Sequence, residues 1–367
     1  MIKQRKALEK IKAYIPGKPA EDVERELGIS GVVKLASNES SWGPSERAIQ
    51  AYRNAADGLA VYPDGSSAEL TTALCKKFGL KPENIAIGCG SDEIMYLIAK
   101  AYINEGDECV TADVTFSTYS LAVESMGGVM RYVPLKNYAF DLDGILGAIT
   151  PRTRLIFIAN PNNPTGAIFT HAEQEAFVER LPRDVVVVFD EAYAEFTTSL
   201  PYVTYPDTLA MMKKHPGVIL CKTFSKIYGL AALRVGYAAA SPEIAELLNR
   251  IRPPFNVNSA AQKAAAAALR DEGYIAMVAD NNKQALDFLD YELDKMGVRH
   301  IPSAANFVLI DTERDADEVF QALMREGYIV RSGKPFGMDT FIRVSTGKPA
   351  QMAGFIEKFR KVMGIID

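Results

Sequence analysis

The sequence predicts an α/β protein: a large unit built on a mostly parallel central sheet covered by helices, followed by a smaller C-terminal α+β unit. Three observations predict it. Between about residues 45 and 240, helical patterns alternate with short β-rich runs, the order that parallel strands and crossover helices impose. Residues 154–159, apolar after Arg154, and 185–189 are runs of strand length, which a strand buried on both faces demands. After Ala240 the pattern changes to long helical runs interrupted by Pro253 and Pro254.

The elements follow in order. Ser67 starts a helical run whose apolar positions include Leu70, Ala73, Leu74 and Phe78, and Gly79 stands where a C-terminal cap belongs. A strand at 85–87 leads through a glycine-rich turn into a helix reaching about Asn104. Strand 108–112, a helix over about 116–126 and strand 130–134 come next, and 218–221 and 235–239 read as two further strands. The segment Asn160-Pro161-Asn162-Asn163-Pro164-Thr165-Gly166 is a loop at a strand end, because each proline disfavours helix at itself and at its predecessor. In the smaller unit Pro242 opens a helix, and helical runs cover 259–270 and 274–296. A strand at 307–310, a helix at 316–326, short strands around Ile329 and Ile342 and a last helix at 349–363 complete it. The division expected is an N-terminal segment 1–40 joining the small unit, a large unit 41–245 and a small unit 246–367.

With 367 residues, 48% of them hydrophobic, the chain can bury two cores. Its 41 Lys+Arg against 46 Asp+Glu leave a net charge of -5, which carries no basic footprint for nucleic acid or an anionic membrane. Apolar stretches such as 264–269 and 185–189 fall far short of the roughly 18 residues that a membrane span requires. The opening residues alternate Lys or Arg with single apolar residues and hold no apolar core of a secretion signal, so the expected compartment is the cytoplasm. Cys75, Cys89, Cys109 and Cys221 form no CxxC and lie far from the three histidines in sequence; reduced thiols and no metal site are expected.

The strongest local feature is Thr223-Phe224-Ser225-Lys226, just past the strand at 218–221, with Arg234 eight residues beyond the lysine. Alone, Lys226 is a surface lysine. Two hydroxyls and a guanidinium around one amine, at the end of a buried strand, instead make a phosphate cradle beside a nucleophile. Asp190, in Asp190-Glu191-Ala192-Tyr193, emerges from the apolar strand at 185–189 and needs a counter-charge: a helix N-terminus, a salt bridge or a protonated ring nitrogen. The stiff 160–166 loop presents amides suited to a flat ligand. Gly88-Cys89-Gly90-Ser91-Asp92-Glu93 offers backbone N–H groups at a helix start, an anion site, and is no dinucleotide fingerprint because Glu93 takes the place of the third glycine.

Taken together, Tyr62-Pro63-Asp64, Gly90-Ser91-Asp92-Glu93, Pro161-Asn162-Asn163-Pro164-Thr165-Gly166, Asp190-Glu191-Ala192-Tyr193, Ser225-Lys226, Arg234 and Arg343 resemble, in order, the pyridoxal-phosphate aminotransferases of fold type I. Tyr14-Ile15-Pro16-Gly17-Lys18-Pro19 and Leu35-Ala36-Ser37-Asn38-Glu39 look more narrowly like the histidinol-phosphate aminotransferases. The resemblance implies histidinol-phosphate:2-oxoglutarate transamination in histidine biosynthesis by a ping-pong mechanism. Transamination of aromatic amino acids is the alternative, and a decarboxylase such as threonine-phosphate decarboxylase a more distant one.

By the same resemblance Lys226 would anchor pyridoxal 5'-phosphate and serve as general acid and base. Asp190 would keep the ring nitrogen protonated, and Asn163 and Tyr193 would bond the ring's phenolic oxygen. Gly90, Ser91, Asp92, Thr223, Ser225 and Arg234 would hold the phosphate, with Tyr62 reaching it from the second subunit of a homodimer. Phe116 would stack on the ring where relatives of this type usually place a tyrosine. Arg331 and Arg343, with Tyr14 and Asn38, would clamp a carboxylate in one half-reaction and a phosphate in the other.

Overall fold

A computed structural model describes residues 2–9, 11 and 17–365. In chain order the first elements are helix α1 (Ala20–Leu27), strand β1 (Val33–Lys34), and helices α2 (Glu46–Arg53) and α3 (Ala68–Phe78). Strand β2 (Ile85–Gly88), helix α4 (Gly90–Tyr102), strand β3 (Glu108–Ala112), helix α5 (Thr118–Ser125) and strand β4 (Val129–Val133) follow. Then come α6 (Leu142–Gly147), β5 (Thr153–Ala159), α7 (His171–Arg180), β6 (Val186–Asp190), α8 (Thr208–Lys214), β7 (Val218–Thr223) and β8 (Gly236–Ala239). Helices α9 (Pro242–Ile251), α10 (Ser259–Leu269) and α11 (Glu272–Lys295) lead into β9 (His300–Ile301) and β10 (Phe307–Asp311). The chain ends with α12 (Ala316–Arg325), β11 (Tyr328–Ile329), β12 (Arg331–Ser332), β13 (Phe341–Ser345) and α13 (Pro349–Met363).

The large sheet runs β2-β8-β7-β6-β5-β3-β4. All neighbours are parallel except β8, which lies antiparallel to both β2 and β7. The apolar runs of β5, β6 and β7 take its middle, as strands covered on both faces must. Alternation on the other strands sorts side chains between two cores. Ala86, Ile219, Cys221 and Ala238 belong to one, with α4 residues Ile94 and Ile98, while Ile85, Ile87, Leu220 and Tyr237 belong to the other, with α3 and α10. Local chemistry starts the helices: the Ser45 side chain accepts from Ala48 N at the head of α2, and Thr170 and Glu173 form a capping box on α7.

A second sheet, β12-β13-β10-β9, is antiparallel throughout, and β1 pairs in parallel with β11. Leu35, just after β1, is buried in the core that this smaller unit builds from Val308, Ile342, Leu323 and Phe355. Packing carries the larger unit beyond residue 245, because α9 lies on α4 and α10 lies on α2 and α3. Helix α11 belongs to both: Val278 and Ala279 enter the core under the large sheet, and Leu286, Leu289 and Leu293 the core of the small unit. We therefore propose that the division falls within α11.

Parallel order brings the C-terminal ends of β2, β5, β6 and β7 to one edge of the sheet, the place where open α/β sheets bind ligands. At that edge the start of α4 lies so close to β8 that a Cβ on Gly236 would sit 2.4 Å from Ser91 N and 2.6 Å from the Gly90 carbonyl carbon. Backbone on backbone cannot give way. Gly236→Ala is expected to cost about 2 kcal/mol or more of stability, read from urea unfolding.

Candidate active site

Four strand ends and the small unit enclose a cavity of about 820 Å³. Its floor is the Asp190 carboxylate at the end of β6, only 5% exposed. Oδ2 accepts a hydrogen bond from the Tyr119 hydroxyl at 2.7 Å, while Oδ1 is buried without a hydrogen-bond partner of good geometry. Burial pushes the Asp190 carboxyl up to about 6, the Asp92 charge adding to the rise and the Tyr119 hydroxyl, the Ala192 backbone N–H and the Lys226 ammonium pulling it down. Next in the chain, burial raises Glu191 to about 7 against the opposing pull of Lys222, 3.4 Å away, and Thr208. That pair lies in the protein interior and does not line the cavity.

Lys226, three residues past β7, lines the same cavity. Its Nζ donates to the Ser37 carbonyl at 3.2 Å and lies 5.6 Å from the centre of the Tyr193 ring. Tyr193 is buried, edge-on to Phe307, and its hydroxyl accepts from Asn38 Nδ2 at 3.0 Å, so its own proton is left to donate. Asn163 lies in the loop after β5, and its Oδ1 accepts from Arg343. The neighbouring Asn162 locks that loop by bonding Thr115, Thr165 and the Val114 carbonyl.

At one end of the cavity the N-terminus of α4 presents Ser91 and Asp92. The Arg234 guanidinium donates to Ser225 Oγ and to an Asp92 carboxylate oxygen, each at 3.2 Å, and the Thr223 and Ser225 hydroxyls are 3.0 Å apart. Gly90 does not line the cavity. It makes room behind it, since a Cβ there would fall 2.6 Å from an Arg234 terminal nitrogen, and its φ of +78° suits glycine. A helix start, two hydroxyls and a guanidinium converge on one point and make an anion cradle.

At the other end Arg331 and Arg343 face each other across β12 and β13. Arg343 is buried, donates to the Ala36 carbonyl at 2.7 Å and to Asn163, and lies over the Phe307 and Phe336 rings. Arg331 makes no ion pair or side-chain hydrogen bond with the described residues, and its charge is available to a ligand.

Most residues singled out from sequence thus meet in one cavity. Phe116 lines it, edge-on to Tyr119 with ring centres 5.6 Å apart. Asn38 also lines it, but its amide is spent on Tyr193 and Ser345, so it braces the site instead of offering a free donor. Tyr62 stands apart: it does not line the cavity, is 80% exposed and stacks on Phe255 at 4.9 Å. Tyr14 lies outside the described residues. Sequence reasoning missed the Tyr119–Asp190 bond, the Arg343–Asn163 bond and the cavity-lining Ser37, Glu39 and Phe336.

A family model described as "Aminotransferase class I and II" matches residues 30–359. Histidinol-phosphate aminotransferase of Moorella thermoacetica is 48% identical over 362 residues, covering 98% of this chain and 93% of the relative. Histidinol-phosphate aminotransferase 2 of Carboxydothermus hydrogenoformans is also 48% identical, covering 99% of both. The crystal structure of histidinol-phosphate aminotransferase from Sinorhizobium meliloti in complex with pyridoxal-5'-phosphate superposes with a TM-score of 0.90 at 30% identity, covering 99% of this chain and 98% of that one. Thermus thermophilus aspartate aminotransferase with maleate, at 22% identity and a TM-score of 0.85, shares the fold.

A carboxyl that is harder to ionise folded than unfolded binds its proton more tightly in the native state, so its contribution to stability falls as pH rises between the two pKa values. For Asp190 that window runs from about pH 4 to about pH 6. In ligand-free protein, Asp190→Asn should therefore gain stability over wild type across this window, on the order of 3 kcal/mol at full ionisation. Urea unfolding at pH 4 and pH 7.5 reads the difference, and a gap that does not widen with pH contradicts it.

Proposed function

The chain belongs to the class I and II aminotransferases, and we propose that it carries the amino group of histidinol phosphate to 2-oxoglutarate with pyridoxal 5'-phosphate as its cofactor. One observation carries the reading: a single cavity sets a buried, half-satisfied carboxylate and an amine between an anion cradle and a pair of arginines. The residues fit the cofactor. Asp190 Oδ1 is a buried acceptor that lacks a cationic N–H partner, which a pyridinium supplies. The cradle at α4 suits a phosphate, and Phe116 offers a flat face at the cavity wall.

Pyridoxal 5'-phosphate, when bound, supplies an aldehyde that captures an amine and a cationic ring that takes up the electron pair left when a Cα–H bond breaks. The protein's own residues do the rest. Asp190 holds the ring nitrogen's proton in place, and its burial keeps water from competing for that proton. Tyr193, whose oxygen already accepts from Asn38, donates to the phenolic oxygen, and Asn163 does so through Nδ2 because its Oδ1 is taken by Arg343. Lys226 would anchor the cofactor through Nζ; once freed, the same Nζ would carry the proton from the amine-bearing carbon to the carbon that had been the cofactor's aldehyde. Arg331 and Arg343 hold the far anionic group of either substrate, since a guanidinium fork fits carboxylate and phosphate alike.

A homodimer belongs to the same proposal. Tyr62, Leu59 and Val61 are exposed near Phe255, an apolar edge on which a second copy would seat, bringing Tyr62 to the partner's phosphate cradle. A place in histidine biosynthesis and a cytoplasmic site of action follow from this reading. No helix among the described residues is long and apolar enough to cross a membrane.

With 2-oxoglutarate as acceptor, kcat/KM for histidinol phosphate is expected to exceed that for phenylalanine by at least about 100-fold, roughly 2.7 kcal/mol of transition-state binding. The reverse order would make the enzyme an aromatic aminotransferase. Lys226→Ala should abolish turnover, and borohydride treatment of wild type followed by peptide mass mapping should find the cofactor's mass on Lys226. Arg331→Ala is expected to raise KM for both histidinol phosphate and glutamate by at least about tenfold, the order of one lost charge-assisted hydrogen bond, with cofactor affinity unchanged.

A further inference from the structure

The hydroxyl of Tyr119 has no packing reason to be where it is. The side chain is fully buried on α5, its ring stacked on Phe157 of β5 with centres 4.7 Å apart and planes 6° apart. A phenylalanine would fill that space equally well, and a buried hydroxyl costs free energy unless it is bonded. The hydroxyl donates to Asp190 Oδ2 at 2.7 Å. Burial and the neighbouring Asp190 charge push the Tyr119 hydroxyl well above its usual range, so it remains a donor at any physiological pH. The same ring meets Phe116 edge-on. Tyr119 therefore touches both groups that would flank a bound ring: the acid at its nitrogen and the aromatic on its face.

We infer that Tyr119 is a positioning residue which fixes the rotation of the Asp190 carboxylate, turning Oδ1 toward the cofactor's ring nitrogen and keeping the carboxylate in its charged form. This rests on the reading above, in which Asp190 pairs with that nitrogen. Without the hydroxyl the carboxylate loses a charge-stabilising donor and becomes more basic. The proton it shares with the ring nitrogen then shifts toward the aspartate, and the ring loses positive charge.

The test compares two probes on the cofactor-free protein: pyridoxal 5'-phosphate and its carbocyclic analogue, which keeps the aldehyde and phosphate but has C–H in place of the ring nitrogen. Tyr119→Phe should raise Kd for pyridoxal 5'-phosphate by about tenfold, the order expected for one hydrogen bond to a charged group. Kd for the analogue should stay within about twofold, which also shows that the variant folds with an intact cavity. If the ratio of the two affinities is unchanged, whether both weaken together or neither moves, Tyr119 is only a packing residue and the inference is overturned. Asp190→Asn separates the two levels. If it leaves the ratio untouched, the pairing of Asp190 with the ring nitrogen fails. If it collapses the ratio while Tyr119→Phe does not, only the role of Tyr119 fails.

Discussion

The site is organised around a carboxylate that the fold cannot satisfy by itself. Asp190 ends a strand that is buried on both faces, and one of its oxygens is buried without a partner of good geometry. Isolating such a charge from water is expensive, and proteins tolerate it where a ligand brings the missing cation. The sheet makes this position possible: β5 and β7 flank β6 in parallel, so the ends of all three strands open on the same cavity. Asn163 and Lys226 are carried on the loops that leave those ends, Thr223 ends β7 and Ser225 follows it.

The second constraint is the junction between the two units. Three consecutive backbone carbonyls, those of Ala36, Ser37 and Asn38, accept from Arg343, Lys226 and Asn306. One short segment thereby touches the Arg343 guanidinium, the Lys226 amine and the residue that leads into strand β10 of the small unit. Asn38 adopts a left-handed φ of 55° there, and its side chain ties Tyr193 of the large unit to Ser345 of the small one. The cavity end that holds Arg343 and the one that holds Lys226 are thus joined through a single segment of backbone.

Much of this was legible in the sequence. The apolar runs at β5, β6 and β7 carried the central sheet because full burial leaves no alternation to misread. Lys226, Asp190, Asn163 and Arg234 stood out because polar residues at the ends of such runs need a reason. What stayed hidden depended on contacts distant in sequence. Tyr119 and Asp190 are 71 residues apart and Arg343 and Asn163 are 180 apart, and no periodicity predicts either bond. The antiparallel setting of β8 was invisible because strand direction is not encoded in an apolar run. The alanine-rich α10 reads as a helix from its propensity, but only its packing on α2 and α3 shows which unit it serves.

A protonated ring nitrogen would supply the cation that Asp190 lacks. Nitrogen NMR of the enzyme loaded with pyridoxal 5'-phosphate carrying ¹⁵N in the ring measures this directly. A protonated nitrogen is expected at neutral pH, its signal moving to the unprotonated range in Asp190→Asn. An unprotonated nitrogen in the wild-type enzyme, or a protonated one indifferent to the substitution, would contradict it.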